Sequence, residues 1–414
     1  MSPAAQVINV RMYDVGFGDC FLLTIPTPEG VRRMLFDCGS IKLGSLSMKE
    51  VREEVLEDLR DAGGIPRVDV VVATHRHKDH VSGFNHSSWA EVQVQEVWMP
   101  WTEHPTDAES KRIRDIQSRL ALQLAEHLQS RLAAAPEAER ARVESRLDLA
   151  LNALSNEGAM RTLHHGFAGS PQRRFLPDKN SESPWFESPA LPGVTVHVLG
   201  PSRDTEIIRD LDPPSGQSYL KLIESLEEAE TRDPGPFSRD WRMSPAEYED
   251  LFRKLSMNLS GEDRENVRRI VFGFDEAVAA ALDQAVNGTS LMLVLQIGRA
   301  FLLFPGDAQW GTWQQALENP EFRRLFREVT FYKVGHHGSH NATPVEFVEQ
   351  LVGRDFWAMV STISVDQWPG VPKPELLEAM AAKTPKIVRS DQPGTIPQGF
   401  TLVRNGVIET SVPF

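Results

Sequence analysis

The chain opens with short apolar stretches cut by turn residues. "VINVRMYDV", "CFLLTIP" and "VRRMLFDCG", with Gly16, Gly18, Pro26, Pro28 and Gly30 between them, each predict a strand. The pattern then turns helical from about Met48 to Ala62, where Gly63 and Gly64 supply a stop. "VDVVVAT" follows as an unbroken β-branched run, which predicts a strand buried on both faces. From Ser290 the strand signals return in "LMLVLQI", "AFLLFPGD", "VTFYKVGHHGS" and "FWAMVSTIS", with helices predicted over residues 309–318 and 344–351. Strands at both ends of the chain that alternate with helices predict an α/β fold. Its expected form is two sheets face to face with helices outside, a four-layer αββα sandwich.

Two stretches interrupt this pattern. Over residues 107–157, Ile113, Ile116, Leu120, Leu124, Leu128 and Leu132 recur at three and four, and after Pro136 the stripe resumes with Val143, Leu147, Ala150 and Leu154. This predicts a helical hairpin. Its eight basic and nine acidic residues nearly balance, so it reads as a solvated surface used for packing or for a homo-oligomer contact, not for phosphate binding. The second interruption, residues 201–286, is preceded by the loop "SESPWFESPALPG". It predicts a helix over residues 219–230 and a capping box at Ser244, Pro245 and Glu247. It carries no chemical motif. Because the strand landmarks run nearly end to end, residues 1–414 are expected to form one domain carrying both insertions.

Composition narrows the function. With 41% hydrophobic and 25% charged residues among 414, the chain has the balance of an ordinary globular protein. Its net charge of −14 provides no general attraction to DNA or anionic lipid, so a nucleic-acid substrate would need a local basic patch. Cys20 and Cys38 make neither a disulfide framework nor a CxxC metal pair, which suits buried thiols in a reducing cytosol. The most apolar stretch, "SLMLVLQIGRAFLLF", is broken by Gln296, Gly298 and Arg299, short of the ~18 residues a membrane helix needs. The amino terminus lacks a basic start followed by an apolar core. A cytoplasmic protein without a membrane partner is expected.

The chemistry concentrates in "VVATHRHKDHVSG", where His75, His77, Asp79 and His80 fall within six positions at a strand end. Imidazole and carboxylate together are the donors that divalent zinc, manganese or iron prefer. In an H-x-H-x-D-H loop, alternation points His75 and His77 to one ion, and Asp79 and His80 to a second. Two ions need more donors, and other strand ends supply them: Asp307 in "FPGDAQ", and His336, His337 and His340 in "VGHHGSH". Asp37 in "LFDCG" is placed to orient a histidine from behind.

The set "HRHKDH", "FPGD" and "GHHGSH" resembles the metallo-β-lactamase fold superfamily. More narrowly it is similar to the branch of the hydrolase domain of ComEC-type DNA-uptake proteins, to which "YDVGFGDC", "NGTSLMLVL" and "RSDQPGTI" add matching segments. The resemblance runs from about residue 9 to residue 410. It implies metal ligands at His75, His77, Asp79, His80 and Asp307, plus one of His336 and His337, with one or two divalent ions, Zn²⁺ or Mn²⁺, as cofactor. Asn287, Ser290, Ser339, His340 and Lys373 would border the site, and Asp14 and Asp19 would shape the neighbouring turn. The chain departs from the wider superfamily at "VTVHVLGPS", which ends without the histidine expected for the first ion, so His164 and His165 are candidates to replace it. It also has "VPKPELL", with Lys373, where relatives carry His-Pro.

The reaction implied is metal-assisted hydrolysis of a phosphodiester, in a nucleotide or a nucleic acid, by an activated water. Asp79 and His80 are the candidate catalytic residues, Asp79 as ligand and proton acceptor at once. Two other classes compete. One is a mononuclear iron oxygenase of the same fold. The other is a binding protein that has lost a full metal site.

Overall fold

The computed structural model describes residues 6–208 and 282–414, apart from 136, 155, 182, 340, 366–369, 393 and 395. The helix expected over 219–230, the capping box at Ser244 and His340 lie outside the described residues. By internal contacts the chain divides into two compact units. One comprises residues 1–118, 152–219 and 284–414, and the other comprises 119–151 and 220–283.

The first unit is mixed α/β, built on two mixed sheets. The larger has β1 (Val7–Tyr13), β2 (Phe21–Thr27), β3 (Gly30–Phe36), β4 (Arg67–Val72), β5 (Gln93–Pro100), β6 (Gln172–Leu176), β14 (Phe400–Arg404) and β15 (Val407–Pro413). Their order is β14-β15-β1-β2-β3-β4-β5-β6, antiparallel as far as β3 and parallel from there to β6. The smaller sheet has β7 (Trp185–Glu187), β8 (Val194–Gly200), β9 (Met292–Ile297), β10 (Ala300–Phe304), β11 (Phe331–Lys333), β12 (Trp357–Val360) and β13 (Ile387–Arg389). It runs β13-β12-β11-β10-β9-β8-β7, parallel from β13 to β10 and antiparallel beyond.

Side chains alternate across each strand, and the two inner faces share one core. Val10, Leu23 and Phe36 of the larger sheet meet Leu293, Leu295 and Phe304 of the smaller. Phe36 and Phe304 stack with ring centroids 4.1 Å apart and planes 9° from parallel. The opposite faces pack on helices and turns. Leu22, Leu35 and Val71 lie with Val51 and Val55 of helix Met48–Asp58, while Leu303, Tyr332 and Val360 lie with Trp313 and Phe326 of helices Trp310–Glu318 and Pro320–Glu328.

Several boundaries differ from the pattern reading. Helix Met48–Asp58 ends before Ala62 because the Asp61 carboxylate accepts from the Gly63 and Ile65 backbones and closes a turn. The stretch read as a loop before Gly193 holds β7. Helix Pro320–Glu328 was not evident from periodicity; Asn319 caps it by accepting from Glu321 N and Phe322 N, with Pro320 in the first turn. Within residues 107–157 lie helices Ala108–Ala134 and Glu137–Leu154, with Leu124, Leu128, Val143 and Ala150 buried but Ile116 and Leu120 exposed. Cys20 and Cys38 are free and buried. Among the described residues no helix is long and apolar enough to cross a membrane.

Candidate metal centre

Four strand ends converge. Asp37 follows β3, His75 to His80 follow β4, Asp307 follows β10, and His336 and His337 follow β11. Ligand sites of α/β sheets commonly sit at such carboxyl ends. Thr74 ties the two sheets together. Its carbonyl accepts from Leu291 N at 2.8 Å, while its own N and Oγ1 donate to Asp37 at 2.7 Å each. The histidine loop then lies against the turn after β1 and the end of β3, with Asp19 N donating to Asp79 O and Cys38 N to His80 O. Only glycine permits this approach, since a Cβ at Gly18 would lie 2.2 Å from Gly39 O and one at Gly39 2.5 Å from Lys78 O. From the other side, Asn152 accepts from Lys78 N at 2.8 Å and Asn156 donates to Arg76 O at 2.5 Å. Asn152 and Asn156 therefore fasten the histidine loop.

Asp79, His80, Asp307 and His337 are buried, and one donor atom from each falls within 4.8 Å of the other three. His80 Nδ1 lies 2.8 Å from Asp37 Oδ2 and His337 Nδ1 lies 2.9 Å from the carbonyl of Ser361. With each Nδ1–H donating, Nε2 is the free face of both rings. His80 Nε2 is 3.1 Å from Asp307 Oδ2, and His337 Nε2 is 3.3 Å from Asp79 Oδ2. The backbone that presents these groups is held in a costly form: Asp37, His336 and His337 all have left-handed φ, at 53°, 46° and 55°. Each such residue costs about 1–3 kcal/mol. The two consecutive left-handed residues separate the histidine neighbours: His337 joins the cluster and packs on Phe17, whereas His336 stands beside it with Nε2 3.9 Å from Asp307 Oδ2.

Asp19, Asp37 and His80 form a second buried group that shares His80 with the first. Lys333, at the end of β11, is buried against Asp19, with Nζ 3.8 Å from Asp307 Oδ1. Four carboxyl groups are thus buried together against one ammonium, an excess of negative charge that burial makes expensive unless protons or cations offset it.

The titration of the site follows. Burial opposes charge on His80, but Asp307, Asp37 and Asp79 outweigh it and hold the ring well above the usual histidine range. On His337 burial is likewise outweighed, by the hydrogen bond to Asp79 and by Asp307 and Asp19, so its pKa is raised. Burial would raise Asp79 and Asp307, yet His80, helped by His337 at Asp79 and by His336 and Lys333 at Asp307, keeps both below the carboxylate range. Burial pushes His77 down to about 4 and His75 well below its ordinary value, so both rings are neutral.

A divalent cation suits this donor set. Asp79 Oδ1 and Asp307 Oδ1 are buried with no hydrogen-bond partner, which costs about 1–3 kcal/mol each unless something else satisfies them.

The remaining expected residues are spread around this centre. His75 and His77 lie side by side, with His75 Nε2 3.2 Å from His77 Nδ1, and Asn287 Oδ1 is 2.8 Å from that same Nδ1. Ser290 accepts from Asp307 N at 3.2 Å. Ser339 donates to Asn341, and Lys373 lies behind the "HHG" turn, its backbone N donating to Gly338 O. Asp14 caps its own turn through Gly16 N and Ser45. His164 packs over Phe175 with centroids 5.9 Å apart, and His165 lines a surface depression with Asn85 and Gly158. Neither belongs to the buried His/Asp groups. Sequence reasoning passed over Lys333 and gave Asp19 only a turn role. A lysine that closes the apolar strand "TFYK" was the available signal.

No family model matches the chain, and no curated protein matches it.

Proposed function

We propose that this chain is a metal-dependent hydrolase of the metallo-β-lactamase-like αββα type, acting on phosphodiesters of a nucleotide or nucleic acid. The convergence of Asp79, His80, Asp307 and His337 from three strand ends into one buried cluster carries this reading. The order of motifs resembling the ComEC-type hydrolase domain supports the phosphodiester class. Bound there, a divalent ion, Zn²⁺ or Mn²⁺, would supply Lewis acidity toward water and an attacked phosphoryl group.

The chain's own residues do the rest. Asp37 and the Ser361 carbonyl fix the tautomers of His80 and His337, so both offer Nε2. Asp79 Oδ2 faces His337, which leaves Oδ1, with no hydrogen-bond partner, to accept a proton from the attacking water. Lys333 holds Asp19 and faces Asp307 Oδ1, so it offsets part of the carboxylate charge without occupying His80 or His337. Because the overall charge is −14, substrate capture falls to local groups and not to the protein's field.

The test is hydrolysis of bis(p-nitrophenyl) phosphate, cyclic nucleotides and single-stranded DNA with added Mn²⁺ or Zn²⁺. Turnover that is lost on chelation and in Asp307→Ala and His337→Ala, with the fold retained, is expected. No turnover of any phosphodiester in the metal-loaded protein would overturn the assignment.

A further inference from the structure

We infer that Asn287 is itself a metal ligand: its side-chain oxygen, with His75 and His77, holds a second divalent ion beside the one at Asp79, His80, Asp307 and His337. This rests on the reading of that cluster as a metal centre.

Three donor atoms carry the inference. His77 Nδ1 lies 3.2 Å from His75 Nε2 and 2.8 Å from Asn287 Oδ1, and all three residues are 1% exposed. Two donors that are each ~2.1 Å from one ion stand roughly 3.0 Å apart at a right angle and roughly 3.4 Å apart at the tetrahedral angle. The 3.2 Å separation falls within this range and the 2.8 Å separation just below it. One Nδ1–H donated to Asn287 Oδ1 accounts for the 2.8 Å contact but leaves His75 Nε2, at 3.2 Å, only a shared, bifurcated bond. A shared cation satisfies all three atoms together.

Asp307, read as a ligand of the first ion, is tied to Asn287 through the backbone. Its backbone N donates to Ser290 Oγ at 3.2 Å, and Ser290 N in turn donates to Asn287 O, so one short turn positions both side chains. Asp307 Oδ2 faces His80 and Oδ1 faces Lys333 Nζ at 3.8 Å, so that carboxylate serves the first ion. All three donors of the second ion are neutral, so it binds more weakly than the first, which has Asp79 and Asp307 both. Filling is therefore sequential. An acid at position 287 would tighten the second step.

The experiment titrates the metal-stripped 414-residue chain with Mn²⁺, counts ions by native mass spectrometry and follows Mn–Mn spin coupling by electron paramagnetic resonance. Near-UV circular dichroism checks the fold. The wild type is expected to take two coupled ions, Asn287→Ala and His77→Ala one each, and Asn287→Asp two with the second bound at least tenfold more tightly. Two coupled ions in Asn287→Ala, with the second weakened only by the about 10–100-fold that loss of an outer hydrogen bond costs, would overturn the inference and leave Asn287 as a positioning group for His77. A wild type that takes one ion, unaltered by Asn287→Ala, would also overturn it while the metal centre stands. A wild type that takes none would overturn both. If Asn287→Ala does not fold, His77→Ala and Asn287→Asp decide: two ions in the former, or no tightening in the latter, refutes the assignment.

Discussion

The histidine loop can be displaced without touching any ligand, through Gly39. A Cβ there would sit 2.5 Å from Lys78 O and 2.6 Å from both Asp79 C and His80 C. All three are backbone atoms of the ligand loop, so no side chain can rotate away. Restoring ordinary contact, which begins at 3.4 Å, requires the loop to move by about 0.9 Å. A preorganised site tolerates only about 0.5 Å. Overpacking of this kind costs about 1–3 kcal/mol, which corresponds to a fall in melting temperature of about 2–10 °C for a domain of this size. Gly39→Ala is therefore expected to lower the melting temperature by that amount and to weaken Mn²⁺ binding by about 10–100-fold, as other changes behind a ligand do. Differential scanning fluorimetry and calorimetric titration measure the two effects. Gly394→Ala, with nothing within 4 Å of its Cβ, is the control and should alter neither. Unchanged metal affinity in Gly39→Ala would refute the idea that this close approach sets the ligand geometry.

Other outcomes follow from the same contacts. Because His80 and His337 have raised pKa values, the metal-free protein holds protons on them near neutrality, and an incoming ion must expel these. Metal affinity should rise with pH from 6 to 8, and binding enthalpies in two buffers of different ionisation heat should report released protons; a pH-independent affinity would contradict this. The sign is opposite for the stability of the metal-free protein. The stabilisation these raised groups supply is complete below their unfolded value of about 6.5 and is lost as pH rises through the folded values, so its melting temperature should fall on the alkaline side. Asn152→Ala removes the acceptor of Lys78 N and should weaken metal binding about tenfold, with little change in melting temperature, as seen by the same titration.

The histidine loop was legible because its strand signals itself: a β-branched run interrupted only by Asp69 and Ala73 reads as a buried strand, and its exit is where ligands gather. Asp307 was legible for the same reason, after "AFLLFPG". The choice between His336 and His337 was not, because it depends on two consecutive left-handed residues that turn adjacent side chains apart, and nothing in "GHHG" dictates which one enters the cluster. Lys333 was hidden because a buried lysine makes sense only once Asp19, far away in the chain, is seen against it. The carboxyl-terminal hairpin of β14 and β15 did carry a local signal in Asn405-Gly406, where Gly406 takes φ 69°. Its pairing with β1, Val7 opposite Pro413, is a non-local fact that no turn signal contains. The helices Ala108–Ala134 and Glu137–Leu154 were legible from their period. That Asn152 and Asn156 at its end would grip the ligand loop depends on the exit path of the chain and not on periodicity.

Diffraction from crystals soaked in Mn²⁺, recorded where manganese scatters anomalously, asks most directly whether these residues share a cation. A peak is expected within ~2.0–2.4 Å of one donor atom from each of Asp79, His80, Asp307 and His337. An empty cluster, with manganese bound only elsewhere or not at all, would contradict the metal centre and the hydrolysis built on it.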